Sequence, residues 1–326
     1  DEARRGWLYP GTLNPAGGQA FKNNEWNKYR IECIGQNIRT WLNGVPAAWL
    51  IDDMTPEGFI CLQVHSVNDL SDVGKQIHWR NIRIKTGNLK PSLPDDIFVV
   101  NLLPNNLSYA EKKQGWKLLF DGKTTKGWRG ADLSRFPDKG WEIEDGVLSV
   151  LASDGAESQN GGDIITKKQY GAFELQWSFM LTEGANSGVK YFVDLGYNSK
   201  ASAIGLEFQL QDDARSDDPR ESHVLASLYD LIPAQLQRVK SARQLRPVGK
   251  WNTARIIVRR DNHVEHWLNG IKVLEYTRGD EDFKTLVAHS KYAIWPGFGM
   301  AKKGYILLQD HGSKVSFRDI KIKNLE

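Results

Sequence analysis

Residues 173–179 read Phe-Glu-Leu-Gln-Trp-Ser-Phe, and apolar and polar side chains alternate over all seven positions. Successive side chains of a strand point to opposite faces, so this alternation predicts a β-strand with one buried face. Residues 206–210, Leu-Glu-Phe-Gln-Leu, repeat the pattern. Further short runs rich in β-branched and aromatic residues lie at 254–258, 264–268, 305–309 and 315–322. Many short strands with few helical stretches predict an all-β fold in which antiparallel sheets form a sandwich.

An internal repeat sets the organisation of the chain. Trp41-Leu42-Asn43-Gly44 recurs as Trp267-Leu268-Asn269-Gly270, and each Asn-Gly pair is a strong hairpin signal. The repeat distance is far longer than a solenoid unit, so we expect two related domains. The second copy contains a stretch, 116–230, that has no counterpart in the first copy. The first copy therefore corresponds to the C-terminal half of a sandwich.

These patterns divide the chain into three parts. We expect residues 1–87 to form the C-terminal half of a first sandwich (the first copy) and residues 114–326 to form a complete one (the second copy). Residues 88–113 read as a linker with a short helix. Ser108 and Glu111 have the spacing of a capping box at the start of that helix.

Composition excludes several classes of protein. The 326 residues include 43 basic and 40 acidic ones with the two signs interspersed, so the net charge is +3. A nucleic-acid partner is not expected, because such proteins usually carry a basic patch or stripe. No apolar run reaches the roughly 18–20 residues of a membrane span. The twelve tryptophans suit core packing, with one or two available for stacking on sugar rings.

The two cysteines, Cys33 and Cys61, lie in strand-like runs of the first copy. We expect both to be small buried hydrophobic residues. A disulfide between neighbouring strands is the alternative, and it requires a close and matched geometry.

Three strand-like runs carry side chains suited to acid–base chemistry. If Leu206 and Phe208 face the core, Glu207 and Gln209 project together from the opposite, open face. By the same alternation Lys190 leaves the face occupied by its neighbours, while Gln309 and His311 share parity near the end of another strand. A surface without function is the commoner reason for such polar pairs. Asp212-Asp213 suits either a Ca²⁺ site or a loop cap.

The second copy resembles the 3-keto-disaccharide hydrolase domain family, also called 3-keto-glucoside 1,2-lyase/3-keto-2-hydroxy-glucal hydratase domains. The motifs that carry this resemblance are 115–123 (GWKLLFDGK), 186–191 (NSGVKY), 205–209 (GLEFQ), 227–230 (SLYD), 249–252 (GKWN), 265–270 (EHWLNG), 307–312 (LLQDHG) and 317–320 (FRDI). The first copy resembles the back half of a divergent member, with Asp1 at the position of Asp230. One departure stands out: relatives often have a histidine just after the Asp-Asp pair, and here the nearest is His223.

The resemblance implies a fold and a reaction. The fold would be a pair of concanavalin A-like jelly-roll β-sandwiches, the first incomplete at its N-terminus. The reaction would be cleavage of 3-keto-glycosides by β-elimination, hydration of the product, or both. Glu207, His311 and Lys190 would be catalytic, with Glu207 or His311 as the base and Lys190 polarising the ketone. Gln209, Gln309, Asp212 and Tyr229 would bind substrate.

The resemblance also implies partners and a location. The substrate would be an oligosaccharide or glycoside, and no cofactor is required, although the site would accept a divalent metal. A separate N-terminal fragment or partner chain would complete the first copy, and the family suggests a periplasmic or cell-surface location. A non-catalytic, lectin-like carbohydrate-binding module is the alternative, because fold does not fix function.

Overall fold

A computed structural model describes residues 8–64, 66–67, 69–153, 157–199, 202–242 and 244–326. Its helices are α1 (Pro15–Gln19), α2 (Tyr109–Lys113), α3 (Leu236–Ser241) and α4 (Glu281–Ala288). Its strands are β1 (Tyr29–Ile34), β2 (Asn37–Leu42), β3 (Val45–Ile51), β4 (Val100–Asn101), β5 (Trp116–Leu118), β6 (Trp128–Gly130), β7 (Trp141–Glu144), β8 (Val147–Val150), β9 (Ile164–Thr166), β10 (Phe173–Leu181), β11 (Asn186–Ser199), β12 (Ser202–Gln211), β13 (Asn252–Val258), β14 (His263–Leu268), β15 (Ile271–Thr277), β16 (Tyr305–Leu308) and β17 (Val315–Asn324). The predicted all-β class is confirmed.

Two antiparallel sheets form the second copy. The larger has the order β15-β14-β13-β10-β17-β8-β7, with β5 also paired to β17, and the smaller has the order β12-β11-β16-β9-β6. Their facing sides share one hydrophobic core, to which β10 contributes Phe173 and Trp177 and the smaller sheet contributes Tyr191 and Phe208. Trp177 meets Phe208 edge to face, with ring centroids 5.0 Å apart. The second copy is therefore a β-sandwich, as the alternating runs predict.

The repeated Trp-Leu-Asn-Gly stretch forms the same hairpin twice. Asn43 and Asn269 both adopt a positive φ, 52° and 49°, at the turns that follow β2 and β14. Each asparagine amide donates to an earlier asparagine, Asn27 or Asn252, at 2.8 and 2.7 Å. The shared hydrogen bonds explain why this stretch of sequence recurs: it closes a tight turn and ties it to the preceding strand.

The first copy forms a four-stranded sheet with the order β1-β2-β3-β4. Its last strand, β4, comes from the segment predicted as a linker and pairs with β3 in parallel. Trp49 and Ile51 of β3 pack there with Val99 and Ala110 in a small separate core.

Two predictions for the first copy are wrong. Residues 58–64, the run that contains Cys61, form no strand, and both Cys33 and Cys61 are free and exposed rather than buried or bridged. The counterpart of this run, β16, is held between β11 and β9. Among the described residues of the first copy no strand takes the place of those partners, so the run lacks the ladder that would make it a strand.

The predicted capping box is confirmed. The Ser108 hydroxyl accepts from the Glu111 amide, and the Glu111 carboxylate accepts from the Ser108 amide, at the start of α2. The other oxygen of Glu111 accepts from the buried Lys321 ammonium group of β17. This ion pair fastens α2 to the large sheet of the second copy.

Among the residues that the structure describes, no helix has both the length and the apolar character needed to cross a membrane.

Candidate active site

The floor of the site is formed by two neighbouring strands of the smaller sheet. The β11–β12 register places Lys190 directly opposite Glu207, and their side chains leave the sheet on the face away from Tyr191 and Phe208. Lys190 Nζ lies 4.0 Å from Glu207 Oε2. Strand parity therefore predicts the shared face correctly, but the face is not open: Lys190 and Glu207 are each only 5% exposed.

A glycine makes room for the Glu207 carboxylate. Gly188 lies next to Glu207 across the β11–β12 ladder, and a Cβ atom at Gly188 would overlap the Glu207 carboxyl group. The missing side chain lets the carboxylate lie flat over the neighbouring strand, which is a reason for glycine inside a strand.

The amide of Gln209 links the floor to the next polar side chains. Its Nε2 atom lies 3.1 Å from Asn186 Oδ1 and 3.0 Å from Gln211 Oε1. With its amide turned over, the nitrogen instead donates to Glu207 Oε1 at 3.3 Å and to the Ser187 carbonyl at 3.2 Å. In this second orientation, which satisfies both ends of the amide, Gln209 hydrogen-bonds to Glu207.

The residues after β16 form the third part of the floor. The Gln309 amide nitrogen donates to Glu157 Oε1 at 2.9 Å, and the same carboxylate oxygen lies 4.0 Å from Lys190 Nζ. Asp310 is fully buried, and its Oδ2 atom accepts from the amides of Gly161 and Gly162. This anchoring fixes the strand end from which His311 extends into the cleft.

One wall of the cleft is aromatic. Tyr229 follows a segment that runs beside β12, and its backbone amide donates to the Glu207 carbonyl at 3.1 Å. Lys291, Tyr292 and Trp295 come from a 3-10 turn, Lys291–Ile294, and the residue that follows it. Together with the floor they enclose a cleft of about 170 Å³.

The structure thus brings together six of the seven site residues named from the sequence. Glu207, His311, Lys190, Gln209, Gln309 and Tyr229 all line the cleft. Asp212 does not: its carboxylate accepts from the backbone amides of Gly184 and Ala214, because it caps the loop after β12. The neighbouring Asp213 likewise accepts from the Leu225 amide. The loop-cap alternative for this pair is the correct one.

Sequence reasoning missed Glu157, Lys291, Tyr292 and Trp295, which also line the cleft. None of the four lies in a strand, so the alternation that identified the floor has no bearing on them. The density of aromatic, Gly and Pro residues in 291–299 was the available signal, since it is typical of an ordered loop at a binding site.

Charge and burial set the protonation of the floor. Burial alone would lower the pKa of Lys190, but Glu207, Asp163 and Glu157 outweigh it and raise the pKa above its usual value, so Lys190 stays an ammonium ion. Burial raises the pKa of Glu207, and Lys190 only partly offsets this. Burial likewise raises the pKa of Asp163 to about 6. A carboxyl group with a raised pKa beside a permanent cation is typical of acid–base sites.

Two other regions of the described chain have some features of a binding site. His263, Glu265 and Glu275 lie close enough to hold a metal ion, but Arg259 and Lys272 already neutralise the two carboxylates. A larger groove of about 290 Å³ is lined by Arg278 and other basic residues. The Arg278 guanidinium donates to the carbonyls of Gly299 and Ala301, so its role there is structural.

Comparison with known proteins places the chain in a family. The family model of the 3-keto-alpha-glucoside-1,2-lyase-like domain matches residues 1–85 and 115–323. A 3-keto-disaccharide hydrolase of Bacteroides thetaiotaomicron is 35% identical over 247 residues, which cover 68% of this chain and 82% of that protein.

A solved structure shares the fold. The crystal structure of a candidate glycosyl hydrolase from Parabacteroides distasonis superposes with a TM-score of 0.59 and 32% sequence identity. The match covers 68% of this chain and all of that one. On the strength of the family match over both of its segments, the chain belongs to the 3-keto-alpha-glucoside-1,2-lyase-like domain family.

Proposed function

We propose that this protein is a carbohydrate-active enzyme that cleaves 3-keto-glycosides by β-elimination and then hydrates the product, which amounts to hydrolysis. The observation that carries the proposal is the Lys190–Glu207 pair at the floor of the cleft in the second copy. The family and the named Bacteroides thetaiotaomicron relative support the substrate class. A periplasmic or cell-surface location belongs to the same proposal and is supported by the family resemblance.

The ketone determines what chemistry the site must supply. A carbonyl group at C3 acidifies the hydrogen on C2, so a base can remove that hydrogen and the substituent on C1 can leave. Water then adds to the resulting enone. Such a reaction needs a base near C2 and a cation or donor near the C3 oxygen, but it needs no pair of carboxylates at the spacing found in ordinary glycosidases.

The floor residues fit these requirements. In this proposal Glu207 removes the C2 proton, and the raised pKa makes it a stronger base than an ordinary carboxylate. Lys190 faces the C3 oxygen and stabilises the negative charge that develops on it. Gln209 and Gln309 orient hydroxyl groups, and Tyr229 lines the aromatic wall.

The proposal requires no metal ion. Glu157 and Glu207, two carboxylates that could hold a divalent cation in the cleft, both lie 4.0 Å from the Lys190 ammonium group. Lys190 supplies the positive charge that a metal would otherwise bring to the C3 oxygen.

His311 lies half-buried at the edge of the floor and is the second candidate for the base.

Two substitutions test the proposal. We expect Glu207→Gln to lower kcat/KM on a 3-keto-glucoside by about 10²-fold or more, because the amide cannot accept the proton. His311→Ala tests the second candidate in the same assay. The matched controls are Glu183→Gln and His289→Ala, both on exposed residues that do not line the cleft, and they should leave the rate unchanged.

The outcomes separate the enzyme from its alternative. Unchanged rates in both cleft variants would contradict the proposal. A wild-type protein that binds unoxidised sugars and leaves 3-keto-glucosides intact would instead be a carbohydrate-binding module.

A further inference from the structure

Lys291 lies at the mouth of the cleft, opposite the floor. It begins the 3-10 turn Lys291–Ile294 and is exposed, whereas Lys190, Glu207, Gln209 and Gln309 at the floor are buried. The site therefore has two lysines in different settings, one deep and one at the rim.

The backbone of Lys291 is held by a chain of polar contacts that runs through the buried His223. Its amide donates to Asp230 Oδ2 at 2.9 Å, and Asp230 Oδ1 lies 2.9 Å from His223 Nε2. The other ring nitrogen of His223 lies 2.8 Å from Asp218 Oδ2. Both nitrogens of His223 are thus engaged, so this histidine positions the rim rather than binding a metal or the substrate.

The side chain of Lys291 points over aromatic rings. Its Nζ atom lies 4.2 Å from the ring centroid of Tyr229 and 5.2 Å from that of Tyr292. Aromatic faces attract an ammonium ion without accepting all of its N–H groups in hydrogen bonds. Two rings therefore hold the ammonium group in place at the cleft and leave it donors for a ligand.

The cleft is large enough to bury only one of the two halves of a substrate. Its volume of about 170 Å³ is below the roughly 300–1,000 Å³ of pockets that enclose drug-sized ligands. One sugar ring can be buried there, but a second unit must remain outside. With the keto-sugar over Lys190 and Glu207, the bond to the leaving group lies at the rim.

We propose that Lys291 is the acid that protonates the leaving-group oxygen. This step rests on the function proposed above and adds to it a residue that the sequence did not indicate.

The pKa shifts of the two lysines agree with different roles: Lys190 stabilises negative charge and Lys291 donates a proton. Lys190 has a raised pKa and keeps its proton. Partial burial of the Lys291 ammonium group lowers its pKa, despite the exposure of part of the side chain, and Glu207 only partly offsets the effect. An ammonium ion with a lowered pKa gives up a proton more readily.

The protons and electrons balance over both steps. Glu207 takes the proton from C2, and the electrons of that bond form the C1–C2 double bond as the bond from C1 to the leaving oxygen breaks. Lys291 Nζ gives a proton to that oxygen, and the aglycone leaves as an alcohol. In hydration the neutral Lys291 takes a proton from water as its oxygen bonds to C1. Glu207, whose proton exchanges with the water that enters after the aglycone leaves, gives a proton to C2.

Leaving-group dependence tests the role of Lys291. We expect Lys291→Gln to lower kcat/KM about 10²-fold on methyl 3-keto-glucoside, whose leaving group needs a proton. On nitrophenyl 3-keto-glucoside, whose leaving group departs as a stable anion, the loss should be under about 10-fold. Lys302→Gln, on an exposed lysine of the larger groove, is the control and should behave as wild type on both.

A second variant distinguishes proton donation by Lys291 from the effect of its positive charge. Lys291→Arg keeps the positive charge but holds its proton too strongly to donate it, so it should not restore the methyl glucoside rate. Full restoration by arginine, or equal losses on the two substrates in a folded Lys291→Gln protein, would overturn the proposal. If the wild-type protein releases neither aglycone, it is the proposed function that fails, and not this assignment alone.

Discussion

At the scale of single residues, the site depends on where two adjacent strands place a carboxylate and an ammonium group. Glu207 and Lys190 are opposite each other in the β11–β12 ladder, and Gly188 leaves the space that the carboxylate occupies. Burial disfavours the charged form of both groups. Three carboxylates outweigh burial and raise the pKa of Lys190, whereas the positive charges around Glu207 only partly offset the rise in its pKa. Burial therefore makes Glu207 a stronger base, while the surrounding carboxylates keep the neighbouring lysine charged.

These pKa shifts predict a bell-shaped dependence of kcat/KM on pH. The bell should be narrower than one bounded by an ordinary glutamate and an ordinary lysine. The base Glu207 must be unprotonated, so kcat/KM should rise with pH through a pKa above the roughly 4.3 of an ordinary glutamate. The acid Lys291 must be protonated, so kcat/KM should fall as the pH rises through a pKa below the roughly 10.4 of an ordinary lysine. Measuring kcat/KM against pH for the wild type and Lys291→Gln checks both limbs.

The variant provides the control for the profile. In Lys291→Gln the falling limb should disappear, while the rising limb should remain but move to higher pH, because Lys291 no longer lowers the pKa of Glu207. A falling limb that survives in this variant would assign it to another group.

Most of the floor of the site could be predicted from the sequence, but the part of the wall that comes from the turn Lys291–Ile294 could not. Alternation along 206–210 and around Lys190 determines which side chains share a face, because the strand period is two. Lys291 and Trp295 reach the cleft through a turn held by Asp230, a contact between residues 61 positions apart. Asp212 was predicted wrongly for a related reason. It follows β12 directly, but its carboxylate accepts from the amide of Ala214 in its own loop and from that of Gly184 in the β10–β11 loop.

At the scale of elements, α2 connects the two copies through one buried carboxylate. Glu111 accepts from Ser108 in the capping box, from the Asn101 amide at 2.7 Å and from the Lys321 ammonium group. Burial would raise the pKa of Glu111, but Lys321 and the Ser108 hydrogen bonds outweigh it and lower the pKa. The capping box is visible in the sequence at three-residue spacing, whereas the pairing with Lys321 spans the chain and is not.

We expect Glu111→Gln to destabilise the protein by about 3 kcal/mol at neutral pH, because it leaves Lys321 buried without its counter-ion. The free energy of unfolding, measured by denaturant titration, checks this value, and Glu144→Gln on an exposed residue is the control. Since the pKa of Glu111 is lowered, its contribution is complete above the ordinary glutamate pKa and is lost as the pH falls through the lowered one. A difference between wild type and Glu111→Gln that persists at low pH would contradict this account.

At the scale of the whole molecule, the two copies differ in whether their C-terminal segments have neighbouring strands to pair with. In the second copy β16 and β17 are paired on both sides. In the first copy the corresponding region exposes Phe59 fully and Val64 to 97%, together with Leu70 and Ile77. The sequence repeat predicted strands here because local patterning is the same, but a strand also requires partners, which the pattern does not report.

All described cleft residues belong to the second copy, so that part should act without the first. We expect a fragment of residues 96–326, which keeps α2 and its ion pair, to retain kcat/KM within about 3-fold of the full chain. Because it lacks the exposed apolar residues of 59–84, the fragment should also bind less of a dye that reports exposed apolar surface. Loss of activity in a folded fragment, as judged by circular dichroism, would show that the first copy contributes to the site.

The most direct test of the central claim follows the hydrogen on C2. A 3-keto-glucoside labelled with deuterium at C2 is incubated with the wild-type protein in ordinary water, and the released sugar is analysed by mass spectrometry and NMR. We predict that the aglycone is released and that the C2 deuterium is lost to solvent, and that Glu207→Gln slows both to the same extent. Release of the aglycone with the deuterium retained at C2 would contradict proton abstraction by Glu207 and with it the proposed reaction.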